Sequence, residues 1–188
     1  MTTFHLVRHA PTHAKSMIGW TDLPADLSDL AALARLSSHL PDAPVVSSDL
    51  GRAITTADCL SVSRPRLPHD PALREIHFGQ WEGQTFAAAE AENPSLIRSF
   101  WESPGPVAAP GGESWDQLTD RVWAALNRYL HHDTVIIVAH FGAILAALQR
   151  GLAVGATQVF VHKIDNLSVT EVSFDGAAWS TARINHQP

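Results

Sequence analysis

FHLVRHAPTHAK, residues 4–15, carries the strongest fold signal in the chain. Its apolar run from Phe4 to Val7 has the unbroken character of a strand buried on both faces, and it ends directly in Arg8 and His9. Two further runs behave in the same way: Val45 to Ser47, and Thr134 to Ala139, which ends in His140. Short apolar runs of this kind belong to a parallel sheet. The ligand crevice of such a sheet lies beyond the carboxyl ends of its strands, where Arg8, His9 and His140 fall.

Between the strands lie helical patterns. SWDQLTDRVWAALNRYL carries a capping-box pair, Ser114 and Gln117, and a stripe of Trp115, Leu118, Val122, Leu126 and Tyr129. DLSDLAALARLSSHL reads as a helix capped by Asp26 or Ser28, with Leu27, Leu30, Ala31 and Ala34 on one face. The alternation predicts an α/β fold, a three-layer α/β/α sandwich with a mostly parallel central sheet. NLSVTEVSF, then Asp175-Gly176, then AAWSTARIN predicts an antiparallel edge hairpin. Residues 1–188 are read as a single domain. The proline-rich segment 63–112, with its helix-like TFAAAEAEN, is read as a partly helical excursion over the site that could form a lid or substrate wall.

Composition narrows the function. A net charge of −6 argues against a nucleic-acid partner, so any anion site must be local. No apolar run reaches the roughly 20 residues a membrane span needs, and the start of the chain lacks the pattern of a signal peptide. With Cys59 as the only cysteine, a cytoplasmic location is the default expectation. Eleven histidines invite a metal reading. His5, His9 and His13 sit four apart, however, and Pro11 opposes the helix that would gather them, so neither a metal nor a cofactor is expected. Exposed tryptophans or the edge hairpin could support a homodimer; the sequence leaves the oligomeric state open.

The second strand leads into DLGRAITTA, which places Arg52 in the first turns of a helix after Ser48 or Asp49 as cap. Arginine forks match phosphate oxygens, so Arg8, Arg52, His9 and His140 would form a compact cationic pocket in an acidic chain. Its natural ligand is a phosphate. The bland alternatives are a pair of structural histidines and a solvated arginine.

LVRHAPT, SSDLGRAITTA, LREIHFGQWEG and VAHFGAI, in that order, resemble the motif set of the histidine phosphatase superfamily, also called phosphoglycerate mutase-like. The resemblance implies that His9 is the transiently phosphorylated nucleophile and that Arg8, Arg52 and His140 bind the phosphoryl oxygens. It implies that Glu75 is the proton donor and acceptor, with Glu82 as competitor and a plain surface glutamate as the alternative. The chain departs from the usual RHG-E-[ST]-x-x-N: Ala10, Pro11, Thr12 and Lys15 stand in the Gly, Glu, Ser/Thr and Asn positions. Phe141 and Leu145 replace a common glycine and arginine. Thr12, Lys15, Trp20, Phe141 and Gly142 are the substrate-binding candidates, with Trp20 and Trp81 as walls that could stack on a flat base. The expected partner is a small-molecule phosphomonoester. Within the superfamily, GWTDLPADLS and APGGESWDQLTDRV are most similar to alpha-ribazole phosphatases, which implies a place in cobalamin assembly. The alternatives are a mutase, disfavoured by only 13 Lys plus Arg, and a non-catalytic module that binds phosphorylated ligands.

Overall fold

A computed structural model describes all residues, Met1–Pro188. Five strands form one sheet in the order β2-β3-β1-β4-β5, with β1 at Thr2–Arg8, β2 at Val45–Ser47, β3 at Thr134–Ala139, β4 at Val169–Phe174 and β5 at Trp179–His186. β3 pairs in parallel with both β1 and β2, while β1–β4 and β4–β5 are antiparallel. The predicted mostly parallel core with an antiparallel edge hairpin is therefore the observed fold, and Gly176 turns the hairpin at φ +104°.

Seven helices cover the sheet: α1 Leu30–His39, α2 Gly51–Leu60, α3 Phe86–Glu92, α4 Pro94–Glu102, α5 Trp115–Arg128, α6 Phe141–Leu152 and α7 Ala156–Val159. The apolar strands are continuous because each contributes to two cores. Val7, Val45, Ile136 and Val138 pack with Leu36, Leu40, Ala53, Ala57 and Leu60 from the α1 and α2 side. Their neighbours Phe4, Leu6, Val46, Val135 and Ile137 face the larger core, where α5 and α6 supply Leu118, Val122, Leu126, Ile144 and Leu148. Residues 63–112 hold two short 3-10 turns and the pair α3–α4, which joins this second core through Ile97 and Phe100.

Local signals were met unevenly. The Ser114–Gln117 capping box forms in both directions, at 3.2 and 2.8 Å. For α1 the cap is Asp29, whose carboxylate accepts from Ala32 N at 2.9 Å, and not Asp26 or Ser28. Its buried stripe is Leu33, Leu36 and Leu40, so the face assigned to Leu27, Leu30, Ala31 and Ala34 is wrong: Leu30 is 73% exposed. Aliphatic residues occupy both faces of this helix, and only its starting residue fixes which stripe meets the sheet. For α2 neither Ser48 nor Asp49 caps; the first turn is instead satisfied from a distance by Asp22, which accepts from Gly51 N at 2.8 Å.

Candidate active site

The register of β1 on β3 builds the centre of the site. Arg8 pairs with Ala139, so the residues that follow, His9 and His140, leave the sheet side by side, with ring centroids 5.0 Å apart. Ser48 leaves the end of β2 on the other flank of β3, its N–H donating to Val138 O. Arg52 enters from the first turn of α2. Both histidines and Arg52 are buried.

Hydrogen bonds fix the state of each ring. His9 Nδ1 lies 2.7 Å from Ala10 O, and a carbonyl can only accept, so Nδ1 carries the proton and Nε2 holds a free lone pair. Burial, followed by the charges of Arg52 and Arg8, lowers the His9 pKa to about 3, the Ala10 bond opposing. His9 is thus a neutral imidazole near neutral pH. His140 has the opposite tautomer. Arg52 Nε donates to its Nδ1 at 3.3 Å, and its Nε2–H donates to Ser48 Oγ at 2.6 Å. Burial, then His9 and Arg52, hold His140 well below the usual histidine range.

The two arginines differ in freedom. Arg52 also donates to Thr21 O at 2.9 Å and Gly19 O at 2.5 Å, so most of its fork is committed to the loop that follows His9. Arg8 donates to Ile164 O at 2.6 Å and lies over the Phe141 ring, 5.5 Å from its centroid. No carboxylate is within ion-pair distance of Arg8, and its buried Nε is unpartnered. Burial reduces the basicity of both, an effect the nearby Glu75 opposes. An anion held here has Arg8 as its most available donor.

Glu75 is buried and sits on the N-terminus of α6, where Gly142 N donates to both carboxylate oxygens at 2.9 and 3.1 Å. Oε1 takes a further bond from Ile76 N, which leaves Oε2 with the freer lone pair. A Cβ at Gly142 would overlap Glu75 Oε1, so glycine is required for this approach. Glu82 serves a different purpose, since its carboxylate accepts from Gly19, Trp20, Thr21 and Phe78 N–H groups at 2.8–3.1 Å. Those bonds outweigh desolvation and keep its pKa low, so Glu82 ties two loops together and stays ionised. Of the two glutamates, Glu75 keeps the less engaged carboxylate oxygen, while both oxygens of Glu82 are occupied by backbone donors.

The remaining candidates divide. Phe141 and Gly142 are at the site, as described. Trp20 is engaged by the protein: Arg74 lies 4.6 Å from its ring centroid, His77 packs at 4.5 Å, and its indole N–H donates to Glu75 O at 2.8 Å. It buttresses Glu75 and is not a free stacking wall. Trp81 is core, 2% exposed and edge-on to Phe100. Neither Thr12 nor Lys15 makes a side-chain hydrogen bond or ion pair, and Lys15 is exposed, so the structure ties neither to the pocket. No group of three or more His, Cys, Asp or Glu side chains could hold a metal ion.

Sequence reasoning missed Ser48 as the partner of His140. It also missed Arg121, which donates to the carbonyls of Ala72, Arg74 and Glu75 at 2.7–3.0 Å while paired with Glu113. Glu113 in turn accepts from His77 N at 2.9 Å, so this pair braces the backbone on both sides of Glu75. One arginine among 13 cationic residues gives no signal of such a role.

Comparison with known proteins places the chain in a family. Residues 4–187 match the family described as histidine phosphatase superfamily (branch 1). The bifunctional protein Rv2228c of Mycobacterium tuberculosis is 33% identical over 90% of this chain, which spans only 46% of that relative's length. The probable phosphoglycerate mutase GpmB of Proteus mirabilis is 27% identical over 95% of this chain and 88% of its own. The structure of Bacillus stearothermophilus YhfR superposes with a TM-score of 0.87 at 27% identity, covering 97% of this chain and 96% of that one. The chain belongs to the histidine phosphatase superfamily.

Proposed function

We propose that the protein is a metal-independent phosphomonoesterase that works through a phosphohistidine at His9. The observation that carries this reading is the tautomer of His9: a buried neutral ring, protonated at Nδ1, with its Nε2 lone pair free beside Arg8 and Arg52. In the first step Nε2 attacks phosphorus, the ester P–O bond breaks, and Glu75 gives its proton to the leaving alkoxide. In the second step water attacks the phosphoryl group, the P–N bond breaks, and Glu75 takes the proton from the water. Charge spreads over the three phosphoryl oxygens in both steps, and positioned cationic donors stabilise it. Arg8 supplies free N–H groups for this, and Arg52 the remainder of its fork. His140 fixes Arg52 through Nδ1, and a phosphoryl oxygen reaching its Nε2–H would displace Ser48 Oγ.

The substrates on this reading are small cytoplasmic phosphomonoesters, with alpha-ribazole 5'-phosphate among those to be tried on the strength of the GWTDLPADLS and APGGESWDQLTDRV motifs. The similarity to a probable phosphoglycerate mutase makes phosphoryl transfer between substrates the second reading. The test is phosphate release by wild type and His9→Ala in the presence of a chelator. Release lost in the variant supports hydrolysis through His9. Turnover only with a bisphosphoglycerate primer supports the mutase, and tight phosphate binding without turnover supports a binding module.

A further inference from the structure

The peptide unit between His9 and Ala10 is clamped at both ends by side chains from distant parts of the chain. Its carbonyl, His9 O, accepts from Asn166 Nδ2 at 2.7 Å. Its N–H, that of Ala10, donates to Thr56 Oγ1 at 3.0 Å. The direction of the second bond is settled, because the Thr56 hydroxyl gives its one proton to Arg52 O at 2.8 Å and can only accept from Ala10. Thr56 is fully buried in α2, one turn beyond Arg52, and Asn166 precedes β4. The loop that carries Asn166 is itself fixed to the end of β1 and to β5: Leu167 N–H donates to Arg8 O at 2.9 Å, and Asp165 N–H to Asn185 Oδ1 at 2.6 Å.

We propose that Thr56 and Asn166 are positioning residues that hold the His9 ring in its nucleophilic tautomer. The inference rests on the phosphohistidine reading above and names residues that prepare its nucleophile. The carbonyl that fixes the ring proton belongs to Ala10, 2.7 Å from His9 Nδ1, and the clamped peptide unit lies between the two. With that unit held, Ala10 O stays within reach of Nδ1, the proton stays on Nδ1, and the lone pair stays on Nε2. Loss of either clamp frees the unit to rotate through ψ of His9 and φ of Ala10, the soft dihedrals on its two sides. Loss of Thr56 Oγ1 also strands a buried N–H, which favours that rotation. Once Ala10 O has moved, the proton of the neutral imidazole is free to sit on Nε2, and such a ring has no lone pair at the attacking position. It still offers Nε2–H to a phosphate oxygen, so phosphate binding and attack respond differently.

The test reads the ring directly, by ¹⁵N NMR of the histidine side chains near neutral pH, with His9 assigned as the signal absent from His9→Ala. Wild type is expected to show Nδ1 protonated and Nε2 bare. Thr56→Val and Asn166→Ala are each expected to populate the Nε2–H form. Both are expected to lower kcat for nitrophenyl phosphate, whose leaving group needs no proton, by about tenfold to a hundredfold without raising the inhibition constant of inorganic phosphate. Thr56→Ser keeps the hydroxyl and retains the wild-type signal and turnover. Should Thr56→Val fail to fold, Asn166→Ala, on a half-buried loop, carries the same expectation. A merely structural role would lower the thermal midpoint and leave the tautomer alone. An unchanged His9 signal in both variants, with or without a fall in kcat, therefore overturns the clamp and leaves the catalytic reading standing. Phosphate release that survives His9→Ala overturns the catalytic reading, and the part of the clamp in turnover with it.

Discussion

Two glutamates separated by seven positions, Glu75 and Glu82, receive different roles from the backbone groups around them. Glu82 serves four N–H groups, so Glu82→Ala leaves several donors without a partner; the expected loss is about 2 kcal/mol, read as a lower thermal midpoint. Glu75→Gln keeps the size and most acceptor bonds but removes the proton. Its kcat/KM is expected to fall by about a hundredfold or more for alkyl phosphates, and far less for nitrophenyl phosphate, whose leaving group needs no proton. A uniform loss on both esters would remove Glu75 from the proton-transfer role. At this scale the sequence was legible where a chemical group sits at a strand end, as with Arg8, His9 and His140. It was not legible where one residue type serves several purposes: Trp20 looked like a stacking surface, and only the tertiary contacts of Arg74, His77 and Glu75 O show it as a brace.

Among the elements, α6 joins fold to chemistry, because its first turn presents the Gly142 N–H to Glu75. Gly142→Ala inserts a methyl group where the carboxylate lies, and a displaced proton donor is expected to lower kcat by about a hundredfold with little change in substrate affinity. Activity near wild type in that variant would show that Glu75 need not hold this position. The cap of α5 is a purely structural control: Ser114→Ala is expected to cost about 1 kcal/mol in denaturant unfolding and to leave turnover unchanged. The capping box was readable because it is a local pattern of fixed spacing. The stripe of α1 was not, since Leu30 and Leu33 are equally apolar and the choice between them depends on where Asp29 starts the helix. The cluster of aromatic side chains beside Glu75, from Phe78 to Phe160, was invisible for a related reason. Its rings span positions 78 to 160 and meet only after α4, α5 and α6 have packed.

For the whole molecule, burial of two neutral histidines at the strand ends couples stability to pH. Both have folded pKa values below the ordinary value of 6.5, so the unfolded chain binds more protons as the pH falls through that value. Stability is therefore fully present above it and is lost on acidification, by up to about 1.4 kcal/mol per pH unit for each histidine until the folded pKa is reached, about 3 for His9. Urea midpoints between about pH 7 and 5 should fall steeply in wild type and less steeply in His9→Ala; equal slopes would show that His9 is not buried in neutral form. Three parallel strands and the two helices α2 and α6 thus hold His9, the proposed nucleophile, uncharged among cations, at a stability cost that appears only in acid.

That arrangement is tested most sharply by quenching turnover of a phosphorus-labelled aryl phosphate rapidly in alkali and mapping the label on the chain. Label is expected on the His9 imidazole, stable in base, released in acid and absent from His9→Ala. Label on any other residue, or steady turnover with no labelled protein at any time, would overturn the phosphohistidine mechanism.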